Sequence, residues 1–279
     1  MSEKTLASLK PRSRALSRTL AQIVQRLQLE DAHLITLAQL QSLCDDLGVR
    51  SAGKVVAARL KSNGWLLATG QPGVYEFCPM ERGGAISRGD VTLPLQSLLA
   101  KRHELRAAVT FQSAAWMHNF ADRLPTRLEV ATPKSVSRVS VAKEIESELR
   151  LSSFTPRLGP QQLRGVPVLA PESILVHMAQ SPRDVRSWAS AFEWLPELTE
   201  AVSLELIKEE LEGRHSAIAV RLGYLVQRLR PDIASECSAY IHGRVDFGKR
   251  GEKYRFDSTW HIRDSVLPKH PSSFVSLAS

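Results

Sequence analysis

The sequence predicts an α+β protein in two parts, an N-terminal winged helix-turn-helix domain and a larger mixed α/β C-terminal domain. Three features carry that prediction. Before residue 63, three short segments repeat apolar residues at helical spacing, and residues 65–77 then read as two strands joined by a tight turn. After Pro79, "MERGGAISRGD" is rich in glycine and charge and reads as a linker. Beyond it, strand-like and helix-like stretches alternate. The expected boundaries are 1–80 for the first domain with a basic arm, 81–91 for the linker and 92–279 for the second domain.

Residues 1–12 carry Lys4, Lys10 and Arg12 without an apolar period, the pattern of a basic arm. From Ser13, the stripe Leu16, Leu20, Ile23 and Leu27 predicts the first helix. "TLAQ" from Thr36 has the T-x-x-Q form of a capping box, opening a helix with the stripe Leu37, Leu40, Cys44 and Leu47 that stops at Gly48. Ser51 is expected to cap the third helix, with Ala52, Val56 and Leu60 facing inward and Ser51, Lys54, Ala58 and Lys61 outward. Asn63-Gly64 ends it. Trp65–Thr69 and Val74–Phe77 are the paired strands, and Pro72-Gly73 between them has the order of a type II turn.

In the second part a helix is expected over Leu93–His103, then a helix in "AAVTFQSAAWMHNF" and a strand in "RLEVATP". Strands follow near Leu149–Thr155 and Leu163–Leu169. From Pro171 the pattern is helical, through "PESILVHMAQ", "RDVRSWASAFEWLPEL" and "SAIAVRLGYLVQRLRP", and "EKYRFDSTWHIRD" reads as a late strand closing the domain. Trp188 and Trp194 fall at helical spacing and are assigned to the core. Arg221 and Arg228, seven apart, read as a solvated helix face. "GKRGEKYR" at 248–255 reads as a basic surface loop and the better candidate for a partner or nucleic-acid contact.

Composition narrows the partners. The formal net charge is +8, and residues 1–80 carry 10 Lys and Arg against 6 Asp and Glu, so the first domain is the more basic per residue. That balance favours a polyanion. The three cysteines, Cys44, Cys78 and Cys237, are widely spaced and suggest neither a disulfide framework nor a zinc site, which fits a reducing cytoplasm. No apolar run approaches the roughly 18 residues of a membrane span, and the N-terminus lacks a signal-peptide core.

Catalytic patterns are missing. None of the eight histidines forms H-E-x-x-H or a zinc-spaced cluster, and His118 reads as packed or capping. Ser216 in "GRHSA" lacks the G-x-S-x-G context, and "GVRSAGKVV" is not a phosphate-binding loop. Glu129 and Lys134 in "RLEVATPKS" lack the second carboxylate of a nuclease centre, so Glu129 is read as an ordinary strand residue. No enzyme activity, metal or cofactor is expected.

The ordered set "GWL…GVYEF", "SAAWMH", "RLEVATP", "RGVPVLAPESILVHMA", "RLGYLVQ" and "STWHIRDSVLP" resembles the AbiEi family of antitoxins from AbiE-type, type IV toxin–antitoxin operons. The resemblance implies an N-terminal winged helix on double-stranded DNA, at inverted repeats upstream of the protein's own operon, and a C-terminal antitoxin domain. It also implies a nucleotidyltransferase-like toxin as partner, countered directly or functionally. Helical geometry then selects the DNA contacts: Ser51, Lys54 and Lys61 toward the major groove, Arg50 and Arg59 on flanking phosphates, Gln71 at the wing tip, and Lys10, Arg12 and Arg14 in the arm. The alternative is a non-enzymatic interaction protein whose winged helix binds protein.

Overall fold

A computed structural model describes residues 14–82, 87–133, 143–249 and 251–274 as a mixed α+β protein. The chain divides into two compact units, residues 1–105 with 140–148, and residues 106–139 with 149–279.

In the first unit, α1 (Arg18–Leu29), β1 (Leu34–Thr36), α2 (Leu37–Asp46), α3 (Gly53–Ser62), β2 (Leu66–Ala68) and β3 (Val74–Phe77) precede α4 (Leu93–Lys101). Ser17 accepts from the Leu20 N–H at the head of α1, which buries Leu20, Ile23, Val24 and Leu27; Leu16 lies just ahead of the helix, partly buried. The capping box of α2 forms as its sequence requires: Thr36 Oγ1 accepts from Gln39 N at 3.2 Å, and Gln39 Oε1 accepts from Thr36 N at 2.8 Å. Its buried stripe is Leu40, Leu43 and Cys44, and Leu47 is exposed. Gly48, at φ 63°, turns the chain after the helix.

Strand β1 was not legible, being three residues long. It joins an antiparallel sheet in the order β1-β3-β2, with Ile35 opposite Tyr75 and Leu67 opposite Glu76. Ile23, Leu27, Leu40, Leu60, Leu66 and Phe77 interlock beneath it. Each such fully buried side chain contributes about 1.5–3 kcal/mol. The 81–91 segment opens with a 3-10 turn at Met80–Arg82, and α4 packs against β1 and β3. The helix at Leu93 therefore belongs to the first unit rather than opening the second, because its apolar face (Leu95, Leu98) seats on the first sheet's strands.

The second unit begins with β4 (Ala108–Val109), α5 (Phe111–Met117) and β5 (Leu128–Thr132). The four-residue α6 (Lys143–Glu146) groups with the first unit. Then β6 (Leu149–Ser153), β7 (Gln161–Leu163) and β8 (Val166–Val168) complete a five-stranded mixed sheet in the order β6-β5-β4-β8-β7. The β7–β8 turn needs positive φ at Arg164 and Gly165, 50° and 75°. Helices α7 (Pro171–Gln180), α8 (Trp188–Glu200), α9 (Leu204–Leu211), α10 (Ser216–Val226) and α11 (Pro231–Ser238) follow. Every residue of α7 from Pro171 to Ala179 is buried, the mark of a helix with neighbours on all sides; α5, α9 and α10 pack on it.

The closing segment is not one strand. Strands β9 (Val245–Phe247), β10 (Arg255–Asp257) and β11 (Ile262–Asp264) make a separate small sheet in the order β10-β11-β9. The "STWH" turn, with His261 at φ 51°, splits the expected strand in two. Gly223 of α10 is fixed by this end of the unit, since a Cβ there would lie 2.3 Å from the Trp260 ring.

Candidate nucleic-acid interface

Helix α3 is positioned by a close crossing with α2. A Cβ on Gly53 would sit 3.0 Å from the backbone N and Cα of Gln41, so a side chain there would push the two helices apart by a few tenths of an ångström. Gln41 Oε1 accepts from Gly53 N at 2.6 Å and supplies the cap. Ser51 is therefore not the N-cap; Ala52 occupies that position, with no side-chain cap, and is exposed rather than buried. The inward face is Gly53, Val56, Ala57 and Leu60. The cap falls one residue later than the serine suggests, because a glutamine on the preceding helix takes the place of a serine ahead of the helix, while Val56 and Leu60 face inward as expected. Asn63 and Gly64 (φ 76°) end α3 where expected.

The outward face keeps its expected members. Lys54, Ala58 and Lys61, at i, i+4 and i+7, are all exposed, as are Arg50 and Arg59, and Ser51 is half-buried. Among the described residues no carboxylate lies within ion-pair distance of Arg50, Lys54, Arg59 or Lys61. Four exposed cations without ion pairs thus lie on α3 or just ahead of it, on the helix that carries the small side chain of Ala58.

The β2–β3 turn forms as a hydrogen-bonded turn from Gln71 O to Val74 N, with Gly73 at φ 79° as a type II turn demands. Its exposed tip is Pro72. Gln71 is half-buried, and its Oε1 is enclosed without a partner, so it is not the outermost residue of the turn.

Arg14 is spent on structure rather than held in an arm. Its guanidinium donates to the carbonyls of Gly64, Cys78 and Pro79 at 2.9–3.2 Å and lies 4.3 Å over the Trp65 ring. Three orphan carbonyls at the ends of α3 and β3 need a donor, and Arg14 supplies it. Arg12 and Lys10 lie outside the described residues.

Several charged residues of the second unit are held inside it. Glu210 on α9 is fully buried and accepts from the Arg157 and Leu158 N–H groups, from Ser173 Oγ at 2.7 Å and from Arg214. Asp264 is held by Tyr224, Arg255 and the N–H groups of Val266 and Leu267. Arg221 is not on a solvated face: it donates to the Asp246, Ala179 and Gln180 carbonyls. Arg228 lies beyond the end of α10, so the pair shares no helix face.

Glu129 is no ordinary strand residue. It is buried, with Oε2 accepting from Ser113 N at 3.2 Å and Oε1 unpartnered, and burial pushes its carboxyl up to about 7. Lys134 lies outside the described residues. His177, unremarked in the sequence, stacks between Phe111 and Phe154 and meets Thr110 Oγ1 at 2.8 Å; burial lowers its pKa to about 3, so it is neutral. Both are polar residues on otherwise apolar stretches, which sequence periodicity does not distinguish from core. His118 packs as expected, with Nε2 2.8 Å from Leu169 O. Trp188 and Trp194 are buried. Asp257, His270 and Ser272 lie in a row, but His270 Nδ1 also accepts from the Ser272 N–H at 3.2 Å, which makes it the cap of a 3-10 turn (Pro271–Ser273). Among the described residues no cluster of His, Cys, Asp and Glu could hold a metal, and no helix is long and apolar enough to cross a membrane.

Comparison with known proteins bears on the second unit first. Residues 107–228 match the family model for the AbiEi antitoxin C-terminal domain. The chain carries that domain, as the resemblance in its motifs implies, and the match supports a toxin–antitoxin antitoxin role. The fold as a whole is similar to the crystal structure of the RV2827C protein from Mycobacterium tuberculosis, at 21% identity and a TM-score of 0.73, over 92% of this chain and 94% of that one. A comparison with curated proteins gave no match.

Proposed function

We propose that the protein is an antitoxin that also represses its own operon, with the first unit as a winged helix on double-stranded DNA. The observation that carries this reading is α3 and the residue ahead of it: Arg50, Lys54, Arg59 and Lys61 are exposed without ion-pair partners among the described residues, on a helix braced by α2 and followed at once by the β2–β3 pair. Cations left unpaired at a surface are available to release counterions from phosphate. Ala58 permits close approach of the helix to base edges, with Ser51, Lys54 and Lys61 toward the major groove and Arg50 and Arg59 on flanking phosphates. The turn around Pro72 and Gln71 serves as the wing, and Lys10 and Arg12 as the arm. The operator is a set of inverted repeats upstream of the gene, and the toxin is nucleotidyltransferase-like. Three buried free thiols favour a cytoplasmic setting.

Fluorescence anisotropy against the DNA upstream of the gene, with a scrambled duplex of equal length and several salt concentrations, tests the DNA half. Binding confined to the upstream DNA and weakening with salt is expected. Ala58→Trp should abolish that specificity while leaving the thermal melt in place. Equal, weak binding to both duplexes would overturn the repressor reading and make the first unit a protein-binding module.

A further inference from the structure

We propose that the outer face of the small sheet β10-β11-β9 is a stacking platform for single-stranded nucleic acid. This face lies beyond residue 228, outside the segment that matches the antitoxin domain, and the proposal does not depend on the role of α3.

Strand alternation creates the platform. On β10, Arg255 turns inward to Asp264, at 2.8 Å, while its neighbours on either side, Tyr254 and Phe256, turn outward. They remain 53% and 48% exposed, two large rings, Phe256 on the strand and Tyr254 just ahead of it. Register sets Phe256 opposite Arg263, and Arg263 opposite Asp246. Beneath, Phe247 and Ile262 are fully buried and anchor the sheet to the body of the unit, so the rings stand on a fixed base.

The surroundings are cationic. Arg244 lies over the Phe256 ring at 5.9 Å from its centroid and Arg263 over the Tyr254 ring at 5.9 Å, each at the outer limit of a cation–π contact, and both rings stay about half exposed beside them. Lys249 and Lys253 are exposed close by in sequence, and residues 240–256 hold five Lys and Arg against two Asp and Glu. Both acids are engaged: Asp246 with Arg263 at 2.7 Å, and Glu252 with Lys249 at 3.4 Å.

Open rings flanked by surplus cations suit a ligand with π-faces and a polyanionic backbone. Single strands offer both, whereas the bases of a duplex are stacked on each other and out of reach. A second copy of the chain would set the same cations against one another, and a purely apolar partner would leave them unpaired. Stacking tolerates any base, so the expected preference is for strandedness rather than sequence.

The test is anisotropy of the full chain with labelled 12-nucleotide oligo(U), oligo(dT) and a duplex of equal length. Tyr254→Ala/Phe256→Ala should weaken single-strand binding at least tenfold and leave duplex binding unchanged. Phe256→Trp should keep the affinity, with indole emission quenched on binding. Lys54→Glu/Lys61→Glu should do the reverse of the double alanine variant, so failure here and failure of the repressor reading are separable. Comparing oligo(U) with oligo(dT) tells whether the 2′-hydroxyl matters; binding to either sustains the proposal. Unchanged single-strand affinity in the double variant, or wild-type binding no tighter for single strands than for the duplex, would overturn it. So would loss of a purified toxin's binding in that variant with oligonucleotide binding intact, which would make the face a protein contact.

Discussion

Helix α3 and the α7–α10 region of the second unit treat charge in opposite ways. On α3 and just ahead of it, four cations stand exposed with no carboxylate within ion-pair distance among the described residues, on a helix anchored by apolar side chains, a glycine and a neutral glutamine. In the second unit, Glu210, Asp264, Arg214 and Arg221 are enclosed or half-enclosed and occupied on several sides. The difference teaches how to read a charged residue in this molecule. A charge whose bonds are satisfied within the chain is architecture, and removing it costs stability. An unsatisfied charge at the surface costs the fold nothing, and its removal registers only when a polyanion is present.

The largest effect should come from the architectural side. Glu210→Ala leaves two backbone N–H groups, the Ser173 hydroxyl and Arg214 without their shared acceptor. Breaking such a buried pair costs about 3–5 kcal/mol. Urea denaturation followed by tryptophan emission reads it well, because four of the five tryptophans, all but Trp65, lie in the second unit. A loss within experimental error would mean that Glu210 is as dispensable as a surface acid, and the comparison would break at its strongest point.

A somewhat smaller effect is expected at Glu129, with a pH signature. Its carboxyl titrates near 7 in the folded state against 4.5 ordinarily, so the fold binds a proton more tightly than the unfolded chain does. Stability from this group is full below about pH 4.5 and falls as pH rises to about 7, by about 3 kcal/mol in all. His177 acts oppositely: its pKa is lowered from 6.5 to about 3, so its contribution is full above pH 6.5 and is lost on acidification. The two slopes offset one another between pH 4.5 and 6.5. Glu129→Gln, which mimics the protonated form, should stabilise the second unit at pH 8 by about 2–3 kcal/mol and do little at pH 4.5. Equal stabilities of variant and wild type at pH 8 would show that burial does not raise the Glu129 carboxyl above its ordinary value.

These two regions also differ in how far the sequence exposed them. The elements of the first unit were legible because their signals are local: the Thr36–Gln39 box, Gly48, Asn63-Gly64 and Pro72-Gly73 each act within a few residues. So was the exposed face of α3, since one helical turn fixes which residues point together. The crossing of α2 with α3 was not, because Gln41 caps Gly53 from twelve positions away. For the same reason Arg14 read as an arm residue, although its acceptors lie 50 to 65 residues further on. In the second unit, Glu129 and His177 meet their partners through the tertiary fold, and Glu210 and Asp264 add to local partners (Arg214, and the Val266 and Leu267 N–H groups) others far away in sequence, Ser173 and Tyr224. The placement of α4 failed for a related reason: a glycine-rich stretch looks like a domain boundary, but the next helix packs back on the sheet it left.

Two cations of the first unit differ in the same way, and their replacement should give the smallest effects. Lys54 is exposed and without an ion pair, whereas Arg14 donates to three carbonyls and covers Trp65. On the proposed DNA-binding role of α3, Lys54→Gln would remove one phosphate neutralisation, so the slope of log K against log salt should flatten by about 0.9, with binding weaker by about 1 kcal/mol at moderate salt. Its urea midpoint should stay put. Arg14→Gln strips donors from carbonyls at the ends of α3 and β3, at a cost of about 1–3 kcal/mol of first-unit stability, while the salt slope of the folded protein stays as in the wild type. Trp65 emission reports that melt. If Arg14→Gln flattened the slope and Lys54→Gln did not, the two residues would have exchanged roles, and DNA would approach this unit from the Arg14 side rather than across α3.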